Sequence, residues 1–393
     1  MLQTKIFQLL ATLSGEEWGR FRAFIQSPYH NRSNKAVELF ELLFPHFPIA
    51  ANESEEITSK REAALPREVL SGAIFPDKSP ESSNLDNLFN TLKKLIFSFL
   101  TIENFLTDEQ AQQLSLLTDL SQRAGAEAFF EKNWKAETKR REKHADSSLS
   151  LFHHQLQLQN RWLTYTVLTG DREKAFPIDH ALTYLQHYTL TAQLKYALGA
   201  LNRHRLVGKS ADIPFLQSAL NQVKESSELQ EIPILALYYR LLLCYLEPED
   251  QEAYDALEHD VKRFMGKVDA SEKGEIYAAQ INYLIGRWRA GQDSLDKIFA
   301  VYKASDESGG LTVNGSIQPG NYLNVVDVGL SLVRAAKDSD KQAEIRAWIE
   351  DFVEKRYQQV NGHARLAVRD QAQALLHYED KNYAAASQCL LQS

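Results

Sequence analysis

Ile232-Pro-Ile-Leu-Ala-Leu-Tyr-Tyr-Arg-Leu-Leu-Leu-Cys-Tyr-Leu246 decides the fold class. Its positions 232, 235, 239, 242, 243 and 246 are apolar at steps of three and four, which places them on one face of a helix. The same spacing continues through Tyr254, Leu257, Val261 and Phe264, and through Tyr277, Ile281, Leu284 and Trp288. It recurs at Leu295, Ile298, Phe299 and Tyr302, and again at Ile345, Trp348, Ile349 and Phe352. Upstream, Ala36, Leu39, Phe40 and Leu43 form a stripe, and Leu85, Leu88, Leu92, Leu95, Ile96 and Phe99 a longer one. No run alternates with the period of two that a strand needs. Glycine (17) and proline (11) are sparse, together well below the roughly 12% of an average chain. The fold is read as all-α.

Start signals agree with the stripes. Ser14 to Glu17, Thr107 to Gln110 and Asp269 to Glu272 each set a capping acceptor three residues before Glu or Gln, the spacing of a capping box. Breakers such as Gly125, Gly170, Gly208, Asp269, Gly291 and Asp338 recur about every 20 residues, so a two-helix unit repeats about every 35–45. That rhythm predicts a right-handed α-solenoid of antiparallel helical hairpins with about 16–18 helices. Residues 1–106 are less regular and are read as an N-terminal cap, with 107–393 as the array. Residues 305–320 read as a long connection, a kind that is functional, disordered or simply packed. Tyr383 to Leu391 reads as the last helix of a hairpin with no polar helix to cover it. That predicts a chain continuing past Ser393, or a face covered by another copy, through self-association, or by another part of the fold.

Two short stretches resemble the tetratricopeptide (TPR) superfamily. Gly170-Asp171 is followed by Ala175 at the matching spacing, and Lys381-Asn-Tyr383 by Ala386 and Leu390, with Ala374 in the preceding helix. The Trp-Leu-Gly part of the repeat is missing in both. The resemblance implies degenerate TPR-like hairpins and a binding rather than catalytic role. Residues 8 to 105, through Phe21-Arg-Ala-Phe24-Ile-Gln-Ser-Pro-Tyr29-His-Asn31 and Ile74-Phe-Pro76, resemble a family of uncharacterised bacterial helical proteins. That likeness implies no activity.

Chemistry-bearing patterns are few. The charge of −8 offers no global attraction to nucleic acid or to an anionic membrane. The apolar run from Leu235 to Leu246 is too short to span a bilayer and is interrupted by Arg240. With two separated cysteines, Cys244 and Cys389, and no secretory signal at Met1, a cytoplasmic location is expected. Gly208-Lys-Ser210 ends like a phosphate-binding loop, but Arg203 stands where its first glycine belongs. Asp269 to Gly274 opens like a calcium loop, but Gln280 stands where the closing Glu is required. His153 and His154 are adjacent and project about 100° apart on a helix, a poor start for a metal site. No cofactor or metal is expected.

Two clusters remain as candidate sites. Tyr165, Tyr184, His187, Tyr188, Tyr196, Arg203, Tyr239 and Arg240 concentrate aromatic and basic groups, the types that dominate binding hot spots, in the middle of the array. Lys132, Lys135, Lys139, Arg140, Arg141 and Lys143 form the densest basic run, with Glu131–Lys135 and Glu137–Arg141 spaced as helical ion pairs. The leading expectation is a non-enzymatic interaction scaffold that holds a protein or peptide partner in a concave groove. The alternatives are a helical enzyme or small-ligand sensor near His153, His154 and Arg203, and a binder of nucleic acid or an acidic partner using the basic helix 132–143.

Overall fold

The computed structural model describes residues 5–47, 65–80, 83–143, 146–170, 176–207, 212–292, 294–312, 315–362 and 365–392. They form nineteen α-helices, three short 3-10 turns and no strand among the described residues, so the chain is all-α. The chain divides into two compact units, Met1–Leu116 and Leu117–Ser393.

The first unit holds α1 (Lys5–Leu10), α2 (Gly15–Gln26), α3 (Asn34–Leu43), α4 (Arg67–Ile74) and α5 (Asn84–Thr107). Ser14 caps α2 in the expected box: its Oγ accepts from Glu17 N–H, and Glu17 Oε2 accepts from Ser14 N–H at 2.8 Å. The stripes of α2, α3 and α5 meet in an aromatic core. There Phe40 lies 4.8 Å from Trp18 and 5.1 Å from Phe21, and Phe21 lies 5.2 Å from Phe99. The boundary differs from the expected one. It falls inside α6 (Glu109–Gln122), whose cap is Asp108, accepting from Ala111 N–H at 2.9 Å, and not Thr107, whose hydroxyl donates to Asn104 O.

The second unit continues with α7 (Glu127–Lys143), α8 (Leu149–Thr169), α9 (Ile178–Val207), α10 (Leu216–Glu225), α11 (Ser227–Gln230), α12 (Pro233–Leu246) and α13 (Gln251–Phe264). It ends with α14 (Ala270–Arg289), α15 (Leu295–Glu307), α16 (Pro319–Ala335), α17 (Ser339–Arg356), α18 (Arg365–Glu379) and α19 (Tyr383–Gln392). Sequential partners pack together: α8 on α9, α12 on α13, α14 on α15, α16 on α17 and α18 on α19. Next-neighbour contacts join α9 to α12, α12 to α14, and α16 to α18. Gly329 makes the α16–α17 contact close, because a Cβ there would stand 2.6 Å from Ile349 Cδ1.

Two isolated bridges tie segments far apart in sequence. Ser147 pairs with Val268, so the entries of α8 and α14 are joined; Ile317 pairs with Val360 before α16 and α18. The second bridge lies in the connection read at 305–320, and of the readings open for it the packed one fits. Helix α15 runs to Glu307, Leu311 and Ile317 are buried, and Ile317 N–H donates to Gln359 O at 2.7 Å. After the helices ending at Thr169 and Glu379, Gly170 and Lys381 adopt the left-handed conformation expected at helix-ending turns, and Ala374 and Ala386 are buried. The remainder of the first TPR-like turn, from Asp171 to Ala175, lies outside the described residues, as does Gly208-Lys-Ser210.

Candidate functional site

Three buried or half-buried side chains converge where α8, α9, α12 and α14 meet. Glu272 opens α14 and is almost fully buried. Its Oε1 accepts from Leu149 N–H at the start of α8 (3.1 Å), and its Oε2 accepts from Lys195 Nζ on α9 (2.9 Å) and Tyr238 OH on α12 (2.8 Å). Glu275 Oε2 approaches the same ammonium at 3.2 Å. Burial acts to lower the Lys195 pKa, but the hydrogen bonds and charges of Glu272 and Glu275 outweigh it and hold the amine above its ordinary range. Burial, with Glu272 beside it, pushes the Tyr238 phenol far up. Glu272 was expected to close a capping box with Asp269. Asp269 does cap α14, accepting from Ser271 N–H at 2.9 Å, while the Glu272 carboxylate turns inward.

A cavity of about 580 Å³ opens above this cluster. Helix α9 supplies Lys195, Tyr196, Asn202, Arg203 and His204 to its wall, and α14 supplies Glu275 and Ala278. A smaller cavity of about 100 Å³ shares Ala278 and continues along α14 to α16, lined by Asn282, Asn321 and Asn324. The two are linked by a hydrogen bond from Asn282 Nδ2 to Asn202 Oδ1 at 3.0 Å. Positions 275, 278, 282 and 285 of α14 lie on one helical face, which carries Glu275 and Asn282 beside the apolar Ala278 and Ile285; with Asn202, Asn321 and Asn324 they make a strip of polar groups across α9, α14 and α16. Asn202, Asn282, Asn321 and Asn324 were not among the sequence candidates, because they are spread over three helices and form no stripe in any one of them.

The predicted aromatic–basic cluster separates into three places. Tyr196 and Arg203 stand exposed at the larger cavity. Tyr184 and His187 line another cavity, about 12 residues and so roughly 18 Å further back along α9. Tyr188 stacks on His153 at 5.0 Å. Tyr165 and Tyr239 are buried: Tyr165 stacks 4.1 Å from Phe130, and Arg240 pairs with Asp260 at 2.9 Å. Those three serve packing between helices.

The basic run also divides. Lys132, Lys135 and Lys139 are exposed on α7, whereas Arg140 and Arg141 both donate to the buried Glu137 at 2.8 Å. His154 Nε2 reaches the same carboxylate at 3.1 Å. Lys143 ends α7. Tyr165 OH donates to Glu131 at 3.0 Å, so this acid too faces α8. The Cys244 thiol is pushed up to about 12 by burial, which removes it as a thiolate nucleophile near neutral pH. Among the described residues no group of three or more His, Cys, Asp or Glu is placed to hold a metal ion, and no helix is long and apolar enough to cross a membrane.

Comparison of the chain with family models, curated proteins and solved structures returns no match. The TPR likeness therefore rests on the local motifs alone.

Proposed function

We propose that residues 117–393 form a right-handed α-solenoid of TPR-like hairpins whose inner face binds an extended peptide of a protein partner, without catalysis. The carrying observation is the polar strip across α9, α14 and α16, with Asn202, Asn282, Asn321 and Asn324 spaced along two joined cavities. A carboxamide offers one acceptor and two donors, the complement of a peptide group, so such a row holds main chain with little dependence on side chains. Tyr196 supplies a broad apolar surface beside it, and Arg203 and Glu275 supply opposite charges for side-chain selection. The Lys195 amine supports binding over chemistry: between two carboxylates it stays protonated and serves as a fixed donor.

Because helices rather than loops carry the strip, its groups are ordered before a partner arrives, and less entropy is lost on docking. Selection of a displayed linear-peptide library on the full-length protein tests the reading. Enriched peptides are expected to bind Asn282→Ala and Arg203→Glu variants about tenfold more weakly, and Lys135→Glu as the unmodified protein. Failure to enrich any sequence, or enriched peptides indifferent to Asn282 and Arg203, overturns it.

A further inference from the structure

The cavity between α8, α9 and the entry to α12 is separate from the peptide strip and has a different character. It is open to solvent, with a volume of about 430 Å³, and its walls are chiefly apolar: Leu151 and Phe152 from α8, Tyr184 from α9, and Ile232 before α12. The polar side chains among them are Gln155, His187 and Ser147, with Arg141 and Glu231 at the margin. Gln155 is 4% exposed, and its Oε1 has no hydrogen-bond partner among the described residues. A buried acceptor without a donor is uncommon in a folded protein and marks a place where a donor is to be supplied. Gln155 lines the cavity, and its terminal side-chain torsion is a broad two-fold rotor, so its carboxamide can adapt to a ligand there.

The charges at the margin are already matched within the chain. Arg141 donates to Glu137 at 2.8 Å, and Glu231 is paired with Arg263. A charged ligand would therefore find no free counter-ion and would have to leave water uncompensated. His187 sits edge-on to Phe152 with ring centroids 5.2 Å apart, and burial holds its imidazole below the usual range, so it meets a ligand as a neutral aromatic ring near neutral pH. Phe152, His187 and Tyr184 together offer faces and edges for ring stacking. As to size, a cavity of about 150 Å³ accepts one benzene ring, so this one accommodates two or three fused or linked rings.

We propose that this cavity is a binding site for a neutral aromatic small molecule of two or three rings that carries one N–H or O–H donor, held by Gln155. The ligand would sit between α8, α9 and the entry to α12, touching all three.

The test titrates the full-length protein with N-phenyl-1-naphthylamine, a neutral aromatic amine whose fluorescence rises in apolar surroundings. Saturable one-to-one binding is expected. Leu151→Trp, which fills the space, should abolish it, and Gln155→Leu should weaken it about fivefold. The anionic relative 1-anilinonaphthalene-8-sulfonate should bind about tenfold more weakly. If Leu151→Trp does not fold, as judged by its melting transition, Ile232→Trp fills the cavity from the opposite wall. Absence of saturation, binding unaffected by the filling variant, no loss in Gln155→Leu, or equal affinity for the anionic relative each overturns the proposal. Peptide binding at Asn282 and Arg203 is read separately, so neither result decides the other.

Discussion

Glu272 stands three residues after a capping aspartate, in a sequence setting indistinguishable from that of Glu17, yet the two side chains have opposite fates. Glu17 bonds back to its own cap; Glu272 instead binds groups from α8, α9 and α12 that lie 34 to 123 residues away in sequence. The difference is burial: Glu272 is 3% exposed, and in that position the Lys195 ammonium, the Tyr238 hydroxyl and the Leu149 amide all need an acceptor. Removing it leaves the Leu149 amide without this acceptor and leaves Glu275 alone to serve Lys195 and Tyr238. Glu272→Ala is expected to destabilise the second unit by about 3 kcal/mol, the lower end for breaking a buried pair, since Lys195 keeps Glu275. Glu275→Ala removes the more exposed partner of the same ammonium and should cost less than about 1 kcal/mol. Urea denaturation of the two variants checks this; equal midpoints would show that Glu272 is not the shared acceptor.

At the scale of elements, α7 and α8 show what periodicity reveals and what it hides. Helix α7 reads as a solvated basic helix, and three of its lysines are exposed. Yet Phe130, Trp134, Glu137 and Arg141, spaced by three and four, face α8: Trp134 Nε1 donates to Leu158 O at 3.0 Å and Glu137 meets His154 at 3.1 Å. Burial lowers the His154 pKa, Arg141 adds to the effect, and Glu137 only partly opposes it. A folded pKa below the unfolded value means that the unfolded chain takes up the proton first. The stabilisation is therefore complete above about pH 6.5 and is lost as pH falls through the lowered folded value. Urea midpoints at pH 7.5 and 5.5 should fall less for His154→Gln than for the unaltered protein, with at most about 1.4 kcal/mol per pH unit traceable to this one group. An unchanged fall would place the acid sensitivity elsewhere, His187 being another histidine whose pKa burial lowers. Apolar stripes were legible in the sequence because a whole helical face repeats the signal. Glu137 and Glu272 were not, since one carboxylate at helical spacing looks the same whether it faces water or another helix. Asn202, Asn282, Asn321 and Asn324 were hidden for a related reason: they become a row only when α9, α14 and α16 are placed side by side.

For the whole molecule, each of the two compact units has a hydrophobic core of its own. One core gathers buried residues from Ile6 to Phe99, the other from Phe152 to Leu376, with no buried residue in common. Cores that share no residues can be weakened separately, so unfolding is expected in two transitions rather than one. Phe40 is fully buried against Trp18 and Phe21, and Phe40→Ala should lower only the first unit's transition, by about 3–5 kcal/mol. Ile349 is fully buried in the second core beside Gly329, and Ile349→Ala should lower only the other transition, by about 2–5 kcal/mol. Tryptophan fluorescence separates the two directly. Trp18 is the first unit's tryptophan, and Trp134, Trp162, Trp288 and Trp348 belong to the second, so a Trp18→Phe protein reports the second alone. If both variants shift a single common transition, the chain unfolds as one cooperative body, and the two cores must then be coupled strongly enough that neither survives the loss of the other.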